Sequence, residues 1–330
     1  MTFLNRVYGV QIIRSKNSNY NADFTGNPRT LSDGTVYSTD KVSKFNVRKY
    51  LGRNNPNDIF VKETIHSTLK NNKTVTGPRT LVDTYKFFFC DGGEQLAQHS
   101  KVDILKKLLT KLDIRLFGAT FAPGGDDVKG KNISIHGPVQ ISYAINRYLN
   151  LKDSGSYTDQ IGSPYASESG DSQTTLGTQT RSQEAHYIHH FSINPKNLTS
   201  YVQQFEDGKN DFQLLSLDDI QLLKQAMAVG TTYYDSTSKK DSENELLLWI
   251  ELKEGSEKIL RNFTELIDVS SQENGRTRID FERVKKYLNR FDSDISKIEV
   301  YYDEDFTDIM DLPEKCDIYT ELNAVFDTAK

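Results

Sequence analysis

The chain has 330 residues, of which 36% are hydrophobic, and carries a net charge of −5. That length buries a sizeable core, as one elaborated domain or two smaller ones, and no apolar run reaches the ~20 residues that a membrane span needs. Cys90 and Cys316 stand alone without CxxC spacing, which fits a reducing compartment better than a disulfide scaffold. Met1 to Val10 has no basic region followed by an apolar stretch, so no signal peptide is expected and the chain reads as soluble and cytoplasmic. The net acidity argues against nucleic acid, but its distribution does not. Residues 1–150 hold 22 Lys and Arg against 12 Asp and Glu, whereas residues 151–330 hold 19 against 34. A local basic face is all that phosphate binding needs. Acidic surface on one copy can also meet basic surface on the next, which suggests head-to-tail assembly.

In chain order, Val7–Ile13 reads as a strand buried on both faces, because apolar residues occupy both alternating sets. An Asn- and Gly-rich loop follows, from Lys16 to Pro28. Ser38-Thr39-Asp40 offers helix caps, and the helix runs to about Leu51. At about 100° per residue, Lys41, Lys44 and Arg48 fall within one sector of about 60°. Gly52 to Thr80 is rich in Asn, Lys and Thr and reads as an insertion.

A helix is predicted near Lys101–Leu112, and a second strand of the main sheet over Val139–Asn146. Asp153 to Glu184 holds almost nothing but Ser, Thr, Gly, Gln and acids. Such a stretch is expected to be mobile unless a partner orders it. Tyr187–Ile193 reads as a strand, which makes the polar stretch the enlarged tip of a hairpin. Ser216-Leu-Asp-Asp219 caps a helix through about Val229, and Leu246–Leu252 is a further strand. Two amphipathic helices are predicted around Glu257–Ile267 and Phe281–Phe291, then a strand at Ile298–Tyr302. The order strand, helix, strand, strand, helix, strand is the split βαβ, ferredoxin-like pattern of RNA-recognition-motif folds, an α+β class.

Catalytic and metal chemistry is sparse. On a strand, His186 and His190 share a face but sit about 13 Å apart, and His189 points the other way. Ligands of one transition metal meet about 2 Å from it, so the three read as hairpin surface positions rather than a metal site. Pro123–Lys131 is Gly-rich but lacks the GxxxxGK[ST] arrangement. No GxSxG or HExxH occurs. Asp23 stands in the first loop, where a carboxylate can hold Mg²⁺ against a scissile phosphate; an Asp among Asn and Gly also simply forms a turn.

Several motifs then carry a resemblance. Arg14-Ser-Lys-Asn-Ser-Asn-Tyr-Asn21, Asp40-Lys41 opening a helix that ends Val47–Leu51, Asp113-Ile-Arg-Leu-Phe-Gly-Ala-Thr120 and His136-Gly-Pro-Val-Gln140 occur in that order. Together they resemble the guide-RNA-binding backbone subunit of the type I-B CRISPR Cascade complex, of the repeat-associated mysterious protein superfamily. The likeness spreads over most of residues 5–260, and the acidic C-terminal stretch carries no matching motif. The first loop departs from the family's tighter Asn-Pro-Asn-Gly-Asp-Pro, since its first proline is Pro28.

The resemblance implies a right-hand shape within one elaborated domain spanning residues 1–330. Its parts would be a recognition-motif-like palm, a finger insertion at about 52–118 and a thumb hairpin at 153–185. It implies copies stacked along CRISPR guide RNA beside other Cascade subunits, with target DNA read by pairing to the guide. Carried over by position, Lys41, Lys44 and Arg48 contact guide-RNA phosphates. Asn17, Asn19 and Asn21 line the same path, Gln140 lies on the strand leading into the thumb, and Arg147 and Arg181 complete the RNA-binding set. No cofactor, metal or membrane is implied, and no enzyme activity. Two other readings stay open: a type III-like metal-dependent ribonuclease using Asp23, and a stand-alone RNA-binding protein, although no aromatic signature marks the central strands.

Overall fold

Strand β1 (Val7–Ser18) opens the computed structural model, followed by the short β2 (Tyr37–Ser38) and helix α1 (Asp40–Leu51). A hairpin of β3 (Ile65–Lys70) and β4 (Lys73–Pro78) leads to helices α2 (Leu81–Phe89), α3 (Lys101–Leu109) and α4 (Leu112–Phe117). Short strands β5 (Gly118–Phe121), β6 (Ile133–His136), β7 (Val139–Ile141) and β8 (Ala144–Asn146) follow. Next come β9 (Ser156–Gly162), the long β10 (Leu176–Ile193), helices α5 (Lys196–Val202) and α6 (Leu217–Tyr233), and β11 (Ser242–Leu252). The C-terminal part holds β12 (Asp268–Ser271), β13 (Thr277–Asp280), α7 (Glu282–Leu288), β14 (Ile295–Tyr302), β15 (Thr307–Met310) and β16 (Cys316–Tyr319). The structure describes residues 1–70, 73–90, 95–124, 129–148, 155–162, 176–205 and 211–328. Residues 153–154 and 163–175 of the polar stretch Asp153–Glu184, with the mobility expected there, and part of the Pro123–Lys131 loop therefore lie outside the described residues; the rest of that stretch, read from the sequence as a hairpin tip, is largely strand, in β9 and the outer half of β10. Two compact units result, one of residues 1–4, 51–140 and 193–223, the other of residues 5–50, 141–192 and 224–330.

The larger unit is built on a sheet ordered β16-β14-β11-β1-β10-β8-β2. β10 lies between β1 and β8, so the first and second strands of the predicted pattern are split by the third, as that pattern requires. β1 runs antiparallel to β11, from Val7 opposite Glu251 to Ser15 opposite Ser242. One face of β1 meets helices: Gln11 donates to the Met227 carbonyl of α6 at 2.7 Å and accepts from Ser43 of α1 at 2.9 Å. The other face sends Tyr8, Val10 and Ile12 into a core with Leu260, Phe263, Ile267, Val269, Ile279, Phe281 and Val284. The acidic C-terminal stretch thus supplies a second layer, which is why β1 is apolar on both sides.

The helix expected around Glu257–Ile267 does not form. Leu260, Phe263 and Ile267, which gave that segment its period, are buried from an irregular chain with only a short 3-10 turn at Thr264–Leu266. The strand expected over Val139–Asn146 breaks at Ser142-Tyr143. There the Ser142 hydroxyl accepts from the His190 amide at 3.1 Å and donates to the Tyr143 carbonyl at 2.9 Å, interrupting the ladder.

The smaller unit packs Phe60, Tyr85, Ile104, Leu105, Leu108, Ile114, Phe121, Ile133 and Leu198 into its own core. Its β3–β4 hairpin exposes Ile65 and Val75. Asp113 is fully buried and accepts from the Phe60 and Val61 amides at 2.8 and 2.9 Å, while Arg115 grips Asp219 with two bonds of 2.9 and 2.8 Å.

A methyl group at Gly9 would lie 2.1 Å from the Leu248 carbonyl oxygen and 2.4 Å from the Phe191 ring. Gly9→Ala is expected to cost at least ~3 kcal/mol, measured by urea unfolding, because neither strand can yield.

Candidate nucleic-acid interface

The loop after β1 is fastened on several sides. Asn17 adopts a left-handed backbone, φ 51°; its carbonyl accepts from Arg181 at 2.9 Å and its side-chain oxygen from the Tyr157 hydroxyl at 3.3 Å. Tyr157 and Arg181 are themselves cross-strand partners in the β9–β10 hairpin. Asn19 is buried and donates to the Gly26 and Thr180 carbonyls at 3.0 and 3.3 Å. Asn21 accepts from both the amide and the hydroxyl of Thr39, at 2.9 and 3.2 Å, fixing the residue that precedes α1. Lys239 donates to the Tyr20 carbonyl at 2.5 Å, and burial lowers its pKa to about 8.

The structure therefore brings Asn17, Asn19 and Arg181 together at the foot of the hairpin, with Asn21 at the entry to α1. On α1, Lys41 is exposed, Lys44 pairs with Asp40 at 2.9 Å, and Arg48 is half-buried. Lys49 sits 5.5 Å over the Phe45 ring, giving the helix a further cation. Arg147 lies apart, reaching the Glu265 carbonyl at 3.4 Å and Asp268 at 3.7 Å in the C-terminal layer. Gln140 belongs to the smaller unit. The sequence reading missed Arg14, Lys16, Tyr157 and Lys239. Arg14 and Lys16 were legible, since they continue the two-residue period of Ile12; Tyr157 and Lys239 join only through long-range folding.

Arg14 and Lys16 lead inward to a charged chain crossing three strands. Glu184 accepts from Arg14 at 3.0 Å and lies 3.5 Å from Lys16 and 3.4 Å from His186; His186 meets Glu245 at 2.6 Å. Burial opposes the charged imidazolium, but Glu245 and Glu184 outweigh it and raise the His186 pKa. Burial likewise opposes the Glu184 carboxylate, yet His186, Arg14 and Lys16 hold it down at about 2.

The expectation that the three histidines are surface positions is thus corrected: His186 and His189 are wholly buried. His189 contacts the Ser38 hydroxyl at 3.0 Å and donates to the Ser142 carbonyl at 2.8 Å, and His190 stands edge-on to Phe263. Burial lowers both pKa values to about 4. The second layer turns the face of β10 that carries His186 and His190 into an inner one, while His189, on the opposite face, is enclosed against Tyr20 and Ser38. Among the described residues no group of three or more His, Cys, Asp or Glu is placed to hold a metal.

Asp23 is half-buried, and one of its carboxylate oxygens accepts from the Thr25 amide and hydroxyl and the Asn27 amide, at 2.8, 2.7 and 2.9 Å. The Thr25 hydroxyl first, and these amides, lower its pKa. This is a turn held by its own side chain.

In the smaller unit the motifs around Phe117-Gly118 and His136-Gly137 meet. A methyl at Gly137 would lie 2.1 Å from the Phe117 carbonyl carbon, and one at Gly118 would lie 2.0 Å from the Ile135 oxygen. Backbones touch there, so only glycine fits. Gln140 donates to the Gly137 carbonyl at 2.8 Å beside a depression of about 430 Å³ lined by His136, Gln140, Asn197, Ser200, Tyr201 and Gln204.

The profile of the CRISPR-associated protein Cas7 family matches residues 5–289. No curated protein matches the chain. One similar solved chain comes from a CRISPR RNA-guided surveillance complex, with 12% identity, a TM-score of 0.54 and coverage of 98% of each chain. A second, from a CRISPR RNA-guided surveillance complex in a pre-nicking state, has 10% identity and a TM-score of 0.55, covering 98% of this chain and 99% of the other. At these identities the likeness concerns the fold. Among the described residues no helix is long and apolar enough to cross a membrane.

The raised His186 pKa sets a pH dependence. The stability it contributes is full below the unfolded value of 6.5 and fades as pH rises through the folded-state value. Wild type should exceed His186→Gln by about 3 kcal/mol at the acid end, with the gap closing toward alkaline pH in urea titrations. A gap independent of pH would mean that the imidazole is neutral in the fold.

Proposed function

The chain belongs to the CRISPR-associated Cas7 family, and from that premise we propose that it is a guide-RNA-binding backbone subunit of a Cascade surveillance complex. The family match over residues 5–289 carries the reading. The motifs Asp113–Thr120 and His136–Gln140 support the finer assignment to subtype I-B. Copies line up along the guide RNA with other Cascade subunits at the ends, in the cytoplasm, and target DNA is read by pairing to the guide. The basic first half and acidic second half support head-to-tail contact between copies.

Within this reading the β9–β10 hairpin is the arm of a thumb at about 153–185, and residues 52–118 form the finger. Lys41, Lys44, Arg48 and Arg181 meet phosphates. Asn17, Asn19 and Asn21 hold the path beside them, and Arg147 and, on the smaller unit, Gln140 are further RNA contacts. A binding rather than a nuclease role is supported by Asp23, which spends one carboxylate oxygen on its own turn. A stand-alone RNA-recognition protein is disfavoured because such folds stack bases on an open sheet face. Here Tyr8, Val10, Ile12 and Ile188 are buried in the core that the C-terminal layer completes.

Three outcomes test this. Complex mass should rise stepwise as RNA is lengthened, by native mass spectrometry; one protomer on every length would sink the backbone reading. Replacing Lys41, Lys44 and Arg48 together by Ala should weaken binding to unrelated RNAs about equally. The log–log salt slope should become shallower by about 2, at ~0.7 per single-strand phosphate. RNA paired to the bound guide should stay intact in Mg²⁺ or Mn²⁺; periodic cuts abolished by Asp23→Ala would make the chain a ribonuclease instead.

A further inference from the structure

The ladder of β1 ends at Ser18, and the chain then turns inward, so that Asn19 and Tyr20 are buried. Past the ladder their carbonyls have no strand opposite them, and a buried carbonyl must find a donor. Among the described residues no backbone amide reaches either one. The donor comes from the turn between α6 and β11. Lys239 reaches the Tyr20 carbonyl at 2.5 Å and the Asn19 carbonyl at 3.5 Å. The same turn also accepts from the loop: the Ser238 carbonyl takes the Asn19 amide at 2.8 Å and the Ser18 hydroxyl at 3.2 Å. Within the turn the Lys239 amide donates to the Ser236 carbonyl at 3.0 Å, and its carbonyl accepts from the Ser242 amide at 2.9 Å. The β9–β10 hairpin grips the loop independently, through Arg181 on the Asn17 carbonyl and the Thr180 carbonyl on Asn19. Two separate elements therefore clamp one short run of backbone.

Lys239 differs from the cations assigned to phosphates. Lys41 stands exposed on its helix, whereas Lys239 is half-buried and, among the described residues, has no carboxylate partner. Its neighbour Lys240 points outward and pairs with Asp235 at 2.5 Å. Burying an ammonium without a counter-charge is unfavourable, and the hydrogen bonds to the two loop carbonyls offset that cost. We propose that Lys239 is a positioning residue, which holds the backbone of Asn19 and Tyr20 so that residues 17–21 keep their RNA-binding shape before RNA arrives. The inference rests on the RNA-binding reading and deepens it. A loop already in its bound shape loses little conformational freedom on binding, and a loop released on one side loses more. With its donors turned into the protein, Lys239 itself makes no phosphate contact.

The test compares wild type, Lys239→Met, Lys239→Arg and the exposed Lys240→Met. Met keeps the aliphatic stem and removes the donor, Arg keeps donors, and Lys240→Met removes the same charge from the same turn. In the free protein, amide hydrogen exchange over residues 19–27 should rise about tenfold in Lys239→Met and stay at the wild-type rate in Lys240→Met. Affinity of Lys239→Met for unrelated RNAs should fall about tenfold, the factor that ~1.4 kcal/mol represents, with the log–log salt slope unchanged. Lys239→Arg should recover most of both losses. A slope shallower by ~0.7 would make Lys239 a phosphate contact and overturn the proposal. Wild-type loop exchange in Lys239→Met, or a Lys239→Arg variant as impaired as Lys239→Met, would overturn it too. If wild type bound no RNA, the RNA-binding reading would fall, while the exchange comparison would still decide whether Lys239 holds the loop.

Discussion

At Gly9 the central strand comes so close to the Leu248 carbonyl and the Phe191 ring that no side chain has room. That approach joins the first and last strands of the split pattern and presses both against a helical layer. Gln11, two residues on, then reaches α1 and α6 together through Ser43 and the Met227 carbonyl. Asn244 donates to the same carbonyl at 2.7 Å and accepts from the Thr231 amide at 2.8 Å. Buried polar groups of this kind fix one arrangement of helices on strands, because each must find its partner. The loop carrying Asn17, Asn19 and Asn21 springs from the end of this strand, so its position follows from the packing at its start.

Charge is buried on both faces of the sheet. On the helical face Glu299 is wholly enclosed, paired with Lys224 at 2.5 Å and with Lys297 at 2.8 Å, and accepting from the Tyr301 hydroxyl at 2.8 Å. On the other face the chain from Arg14 and Lys16 through Glu184 and His186 ends at Glu245. Neither set needs to add net stability. Both make one register of the strands far better than its neighbours, since a one-residue slip would turn these charges to the opposite face.

Local signals were legible wherever the sequence alone decides. The two-faced apolar run of β1, the start of α1 at Asp40 and α6 all stand where the residue pattern put them, whereas β9 and the outer half of β10 run through the stretch that its polar composition marked as a tip. The errors share one cause. Leu260, Phe263 and Ile267 gave a helical period yet serve as plugs from an irregular chain, and His186 and His189 looked exposed because nothing local announced the layer covering one face and the packing against the other. The Asn-rich loop showed donors and acceptors, but only the fold reveals that Asn19 spends its amide on Gly26 and Thr180. Similarly, Gly118 and Gly137 read as parts of two motifs and turn out to be one contact.

Strand β10 runs through 18 residues without a break, from the projecting hairpin into the middle of the sheet. At about 3.3 Å per residue it is a continuous rod of roughly 60 Å. Its inner end is held by His186 and His189 on opposite faces, and its middle by the Arg181–Asn17 contact. An arm made this way has no hinge. A push on its outer end bends it elastically, and the load arrives as shear on the register with β1. Whatever displaces the arm therefore works against the stiffness of the core rather than against a flexible joint.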